Sequence, residues 1–170
     1  MNEGEYLDLK TRGDIYNFVT RQPGLHLDEI SKKMNIPKDN ISYHLGYLKK
    51  LGVLMEIFDD ENARYYVTKK ISEREREMLH LLRQDVPIKI IMFLLINPEA
   101  SWMNISRHLK RHPKTISFHL RKLIAAGAIE TIPNGREIRY AVKNEEDIFY
   151  LLNKYGEGFS DDKGNYLEIL

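Results

Sequence analysis

The sequence predicts a mainly α protein with small β-hairpins, an α+β chain that uses one compact unit twice and joins the copies by a helix. Three observations carry this. The chain repeats itself without a gap: Ile41-Ser42-Tyr43-His44-Leu45 is matched by Ile116-Ser117-Phe118-His119-Leu120, a shift of 75 positions. Each copy holds three segments whose apolar residues recur at helical spacing. After Gly52, and again after Gly127, the period changes to that of strands around a turn.

The match extends beyond that pentapeptide. Ile30-Ser31 corresponds to Ile105-Ser106, Pro23 to Pro98, Leu48 to Leu123, Arg64-Tyr65 to Arg139-Tyr140 and Val67 to Val142. Register kept over about fifty residues implies the same fold and loop lengths twice. In the first copy a helix over 13–21 ends before Gln22-Pro23-Gly24. A second covers 27–34, with Ile30 and Met34 on one face, and Asn35-Ile36-Pro37 makes a short turn. A third covers 38–51, with Ile41, Leu45 and Leu48 inward and Gly52 as its C-terminal cap. Strands are expected over 53–58 and 63–67 around the acidic turn Asp59-Asp60-Glu61-Asn62. In the second copy they fall at 128–132 and 137–142 around Asn134-Gly135, a pair that tolerates positive φ.

Helix, helix, short turn, helix, hairpin is the order of a winged helix-turn-helix domain. Both copies resemble the winged helices of ArsR-like and MarR-like transcriptional regulators of bacteria and archaea. The residues that carry the resemblance are Thr115 to Leu123, Ala126 to Ile129, Gly135-Arg136 and Arg139-Tyr140, with their counterparts Asn40 to Leu48, Leu51 to Leu54 and Arg64-Tyr65. The expected organisation is a first winged helix over 1–70, a linker helix over 71–86, a second winged helix with a C-terminal helix over 87–156, and a tail over 157–170.

Ser72-Glu73-Arg74-Glu75 has the spacing of a capping box opening the linker helix. The segment Ile88 to Ile96, opened by Pro87, is apolar nearly all round, so more than one of its faces must be covered. Packing against the linker helix and a homodimer interface are both open. Asn144 to Asp147 should cap a last helix with Ile148, Leu151, Leu152 and Tyr155 inward. The family resemblance implies that such a terminal helix also serves dimerisation.

Net charge is +1, from 26 Lys+Arg against 25 Asp+Glu, so any nucleic-acid signal must lie in the distribution. From Arg107 to Lys122 there are six basic residues and no acid. With Ile116, Leu120 and Leu123 inward, the third helix of the second copy turns Lys114, Phe118, Arg121 and Lys122 outward, flanked by Ser117 and Thr115. Arg107 and Arg111 precede it, and Arg136 and Arg139 lie on the wing. Donors on an exposed helix are what readout of the major groove needs. The first copy offers Lys38, Ser42, Tyr43, Tyr47 and Lys50, beside an acidic wing that phosphates would repel. The second copy is therefore expected to be the stronger DNA reader. The tyrosine face of the first suits weak DNA contact, stacking on single strands or RNA, or a protein partner.

No cysteine is present, which excludes disulfides and thiolate metal sites. The resemblance therefore does not carry over cysteine-based metal sensing. His108 and His112 have the i, i+4 spacing of a helical metal pair but no third ligand nearby. No metal or cofactor is expected. His44 and His119 occupy equivalent flanks of the third helices, packed or aimed at phosphate, and Trp102, matching Leu27, reads as core. Arg64 and Arg139 either pair with acids or touch DNA. With no glycine-rich phosphate loop, nucleophile elbow or paired carboxylates, an enzyme is not expected. The longest apolar run, Ile90 to Ile96, is far short of the roughly 20 residues that span a bilayer, and the start is acidic, so no membrane contact and a cytoplasmic location are expected. The function expected is sequence-specific binding of double-stranded DNA by a transcriptional regulator. The alternatives are a protein-interaction module or a single-strand or RNA binder.

Overall fold

A computed structural model describes residues 3–59 and 62–156, with residues 3–7 and 59 described by backbone alone. Asp60 and Glu61 of the expected acidic turn and the tail over 157–170 therefore lie outside what is described, while Asp59 and Asn62, expected in that turn, are paired strand ends. The chain divides into two compact units, Met1–Ser72 and Glu73–Leu170.

The first unit runs α1 (Glu3–Arg21), β1 (Leu25–His26), α2 (Leu27–Met34), α3 (Lys38–Lys50), β2 (Leu54–Asp59) and β3 (Asn62–Val67). Its core joins Ile15 and Val19 of α1, Ile30 of α2, Ile41, Leu45 and Leu48 of α3, and Leu25, Leu54, Tyr65 and Val67 of the sheet. Each such aliphatic side chain contributes about 1.5–3 kcal/mol by leaving water. The second helix and the inward stripe of the third fall where the sequence places them. Two features differ. α1 begins at Glu3, ten residues before the expected start, with Gly13 inside the helix rather than at its boundary. β1 is too short to show any alternation, yet it pairs with β3 and makes the sheet three-stranded, in the order β1-β3-β2.

The second unit runs α4 (Glu73–Leu82), α5 (Asp85–Ile96), β4 (Ala100–Ser101), α6 (Trp102–Leu109), α7 (Pro113–Ala125), β5 (Ile129–Asn134), β6 (Glu137–Val142) and α8 (Glu145–Tyr155). The core repeats: Ile90, Leu94, Ala100, Ile105, Ile116, Leu120, Leu123, Ile129 and Val142 are buried at the positions matching Ile15 to Val67. The sheet order is β4-β6-β5. The turn differs from expectation. Asn134 is still a strand residue opposite Glu137, so the loop is Gly135-Arg136, with Gly135 at φ 61. This sets Arg136 at the wing tip.

Matching backbone devices punctuate both units. Asn35 (φ 53) ends α2 and Lys110 (φ 50) ends α6, each in the left-handed conformation. Gly52 and Gly127 follow α3 and α7 at φ 69 and 70, as C-terminal caps require.

α5 packs on α4, α6, α7 and β6 inside its own unit, which buries Ile88, Ile90, Ile91, Met92 and Leu94. The packing against the preceding helix expected for Ile88–Ile96 is present, while Ile96 at its end stays 54% exposed. α8 starts under the Asn144 cap, whose side chain accepts from the Asp147 N–H at 3.4 Å, and buries Ile148, Leu151, Leu152 and Tyr155. Arg74 and Glu75 of α4 reach Asp147 (3.2 Å) and Lys154 (4.0 Å) of α8.

Candidate nucleic-acid interface

α7 starts at Pro113, which supplies the fixed φ of a first helical turn. His112 caps it, its Nδ1 accepting from the Lys114 N–H at 3.2 Å. The other member of the expected histidine pair, His108, packs its ring on Phe93 at 4.5 Å. With Ile116, Leu120 and Leu123 buried, Lys114, Ser117, Phe118 and Arg121 are exposed, and Thr115 and Lys122 are half-buried on the flanks.

The outward side chains order one another. Arg121 Nε donates to the Ser117 carbonyl at 3.4 Å, and Lys122 Nζ lies 4.8 Å from the centre of the Phe118 ring. Phe118 meets His119 edge-on at 5.2 Å. Burial first, and then the nearby Lys122 ammonium, hold the His119 imidazole below the usual histidine range, so it adds no charge to this face near neutral pH.

The flanking basic residues divide in two. Arg107 and Arg136 are exposed and make no ion pair or hydrogen bond among the described residues. Arg111 reaches Asp85 at 3.3 Å, an acid that Lys89 also holds at 2.8 Å. Arg139 donates to the Glu99 carbonyl at 3.3 Å. In the first unit Arg64 makes the same bond to the Gly24 carbonyl at 2.7 Å. Neither arginine takes an acid in these bonds; each ties its wing strand to the loop before the short strand.

The corresponding face of α3 is built differently. Lys38 pairs with Asp28 at 2.8 Å, Ser42 and Lys50 are exposed, and Tyr43 is 59% exposed. The Arg12 guanidinium of α1 lies 3.7 Å from the Tyr47 ring centre, and Tyr47 is still 39% exposed. His44 is only 4% exposed, with Tyr43 edge-on to it at 5.1 Å, which makes it a packed residue. Lys49 pairs with Glu56, which also accepts from the Tyr65 hydroxyl at 3.0 Å. Burial and then this bond push the Tyr65 hydroxyl up to about 12.

Trp102 corrects the sequence reading. It is the first residue of α6 and is 37% exposed, on the rim of the wing rather than in the core. Its counterpart Leu27 is half-buried against the first core, and the repeat alone does not distinguish the two environments.

A helix-turn-helix backed by a small antiparallel wing, with donors on the outer face of its second helix, defines the winged helix-turn-helix class, which sets that helix into the DNA major groove. Residues 88–131, from α5 into the first wing strand, are similar to the family described as "Bacterial regulatory protein, arsR family". An HTH-type transcriptional regulator of Methanocaldococcus jannaschii is 29% identical over 142 residues, covering 84% of this chain and 36% of that protein. The chain thus spans about a third of the length of this curated relative. Among solved structures, HlyU from Vibrio cholerae N16961 is 21% identical, with a TM-score of 0.45, covering 49% of this chain and 90% of that one. The transcriptional repressor BigR from Xylella fastidiosa is 20% identical, with a TM-score of 0.42, covering 50% and 86%.

Among the described residues no helix is long and apolar enough to cross a membrane.

Proposed function

We propose that this chain is a tandem pair of winged helices that binds double-stranded DNA and regulates transcription in the cytoplasm, with its second unit the stronger reader. One observation carries the reading. The exposed face of α7 presents Lys114, Ser117 and Arg121 within an acid-free stretch, inside the segment that matches the ArsR family. Arginine and lysine on such a helix donate to guanine O6 and N7 and to phosphates. The kinship with a transcriptional regulator over most of this chain supports the same function.

The first unit contributes less on this reading. Its α3 presents tyrosines where α7 presents cations, Tyr47 lies beneath Arg12, and Lys38 is tied to Asp28. A homodimer belongs to the reading as well. Its two candidate surfaces are the Ile88–Ile96 helix, where Ile96 is exposed, and the outer side of α8, where Phe149 and Tyr150 are exposed.

Substituting outward residues of the two helices in parallel tests the asymmetry. Arg121→Ala with Lys122→Ala should weaken duplex binding far more than Tyr43→Ala with Tyr47→Ala. Equal losses, measured by fluorescence anisotropy on one duplex, would refute the second unit's leading role.

A further inference from the structure

The second unit carries an open groove of about 460 Å³ between the first turn of α6 and the start of β6. Trp102, Met103 and Ile138 line it with apolar surface, Arg107 and Arg136 lie along it, and Glu137 is its acid. Met103 and Ile138 are each about half exposed, so this apolar surface is uncovered. Both arginines are exposed and take no ion pair or hydrogen bond among the described residues. The groove also borders an open sheet edge. β4 pairs with Tyr140 and Arg139 alone, so Glu137 and Ile138 of β6 have no described strand beside them on that side.

An open strand edge flanked by apolar side chains and two guanidinium groups fits an extended peptide that is both acidic and apolar. Main-chain bonds to such an edge give affinity, and the flanking side chains select the sequence. The first unit supplies an internal comparison. At the positions of Trp102, Met103, Arg136 and Ile138 it has Leu27, Asp28, Glu61 and Ala63. Two acids there would repel an acidic peptide, and Ala63 removes the wall that Ile138 provides. The peptide-accepting chemistry thus belongs to the second unit.

We infer that this groove is the docking surface for the chain's own segment 157–170, seated beside β6. That segment follows α8 and lies outside the described residues. It carries Glu157, Asp161, Asp162 and Glu168 against Lys163, together with Phe159, Tyr166, Leu167, Ile169 and Leu170. In the inferred seat Asp161 and Asp162 meet Arg107 and Arg136, and Leu167 and Ile169 cover Trp102 and Met103. Its fourteen residues reach roughly 46 Å when extended, against about 30 Å across a small domain. A short tether holds a segment at millimolar effective concentration, so an intrinsic Kd of about 0.1 mM keeps the groove roughly nine-tenths filled. Arg107 and Arg136 belong to the DNA surface proposed above, so a seated segment excludes duplex from the wing. That consequence, and not the docking itself, rests on the DNA-binding reading.

Trp102 is the sole tryptophan, so its emission reports on the groove with no DNA present. Its emission maximum and its quenching by acrylamide are measured in the full chain, in Leu167→Ser with Ile169→Ser, and in Asp161→Asn with Asp162→Asn. An unchanged circular dichroism spectrum verifies that both variants keep the fold. Both should emit at longer wavelength and be quenched more readily than the wild type, and a synthetic peptide of residues 157–170 should reverse both changes at about 0.1–1 mM. Leu167→Ser with Ile169→Ser keeps the net charge, and its affinity for a random-sequence duplex should rise about tenfold at constant salt. Emission and quenching equal to the wild type in both variants overturn the docking and leave the DNA-binding reading standing. Trp102 released with duplex affinity unchanged upholds the docking and overturns the exclusion of DNA. No duplex binding by any of the three chains overturns the DNA-binding reading, and the Trp102 measurements then decide the docking by themselves.

Discussion

Arg64 of β3 donates through Nη1 to the Gly24 carbonyl at 2.7 Å, across forty residues of chain. The equivalent Arg139 reaches the Glu99 carbonyl at 3.3 Å. In both units this arginine ties the wing to the loop before the short strand. A charge-assisted bond of this sort is worth roughly 1.5–3 kcal/mol, less where solvent screens it. Arg64→Ala should therefore lower stability by about 1–2 kcal/mol and Arg139→Ala by less, as urea denaturation would show. Stability unchanged in Arg64→Ala would contradict the tether.

Gly24 makes a second prediction. It sits at φ 82, and an added Cβ would meet the Tyr66 ring at 3.0–3.2 Å. At the matching place the second unit holds Glu99 at φ 61, and Ala141 stands where Tyr66 would crowd it. Gly24→Ala should cost more than about 1 kcal/mol, from positive φ and the clash together. In Gly24→Ala with Tyr66→Ala the clash part should vanish, so the two losses should fall short of additive in a double-mutant cycle.

In the core of the second unit, Leu120→Ala removes a side chain that is 2% exposed between α7 and the sheet. A loss of about 2–5 kcal/mol is expected, with reduced DNA affinity only at temperatures where the variant unfolds. Phe118→Ala, on the opposite face of the same helix, should leave the melting temperature almost unchanged and weaken DNA binding. The opposite pattern would mean that the inward and outward faces of α7 have been exchanged.

Stability should fall on mild acidification. Burial is the largest cause holding His44 and His119 below the usual histidine range; in His44 the Asp8 carboxylate partly offsets it, and the Arg12 guanidinium adds to it. A group whose folded pKa lies below its unfolded one stabilises the fold fully above the unfolded value, about 6.5. That contribution is lost as pH drops below it, because the unfolded chain takes the proton first. Denaturation midpoints should decline from pH 7 towards 5.5, and His44→Gln should flatten part of the decline. A midpoint that rises over this interval would exclude the assignment.

Much of this architecture is legible in the sequence because a gapless repeat lets each unit vouch for the other. Ile41, Leu45 and Leu48 read as one stripe, and Ile116, Leu120 and Leu123 confirm the phase. What escapes is what periodicity does not encode. β1 and β4 have two residues each, too few to alternate. The placement of Arg12 over Tyr47 joins different helices and has no local signature. Trp102 aligns with a half-buried leucine, yet at the first position of α6 it faces the rim. The all-round apolar α5 shows the limit in the other direction. Its composition requires cover on several faces, but only the fold tells that α4, α6, α7 and β6 provide it.

The most direct test of the central claim is fluorescence anisotropy of the intact chain on random-sequence duplex DNA between about 50 and 300 mM salt. Phosphate neutralisation by the α6–α7 arginines and lysines predicts affinity that falls steeply and linearly in log salt. No binding at the lowest salt would contradict the account and leave the acid-free stretch from Arg107 to Lys122 an ordinary solvated surface.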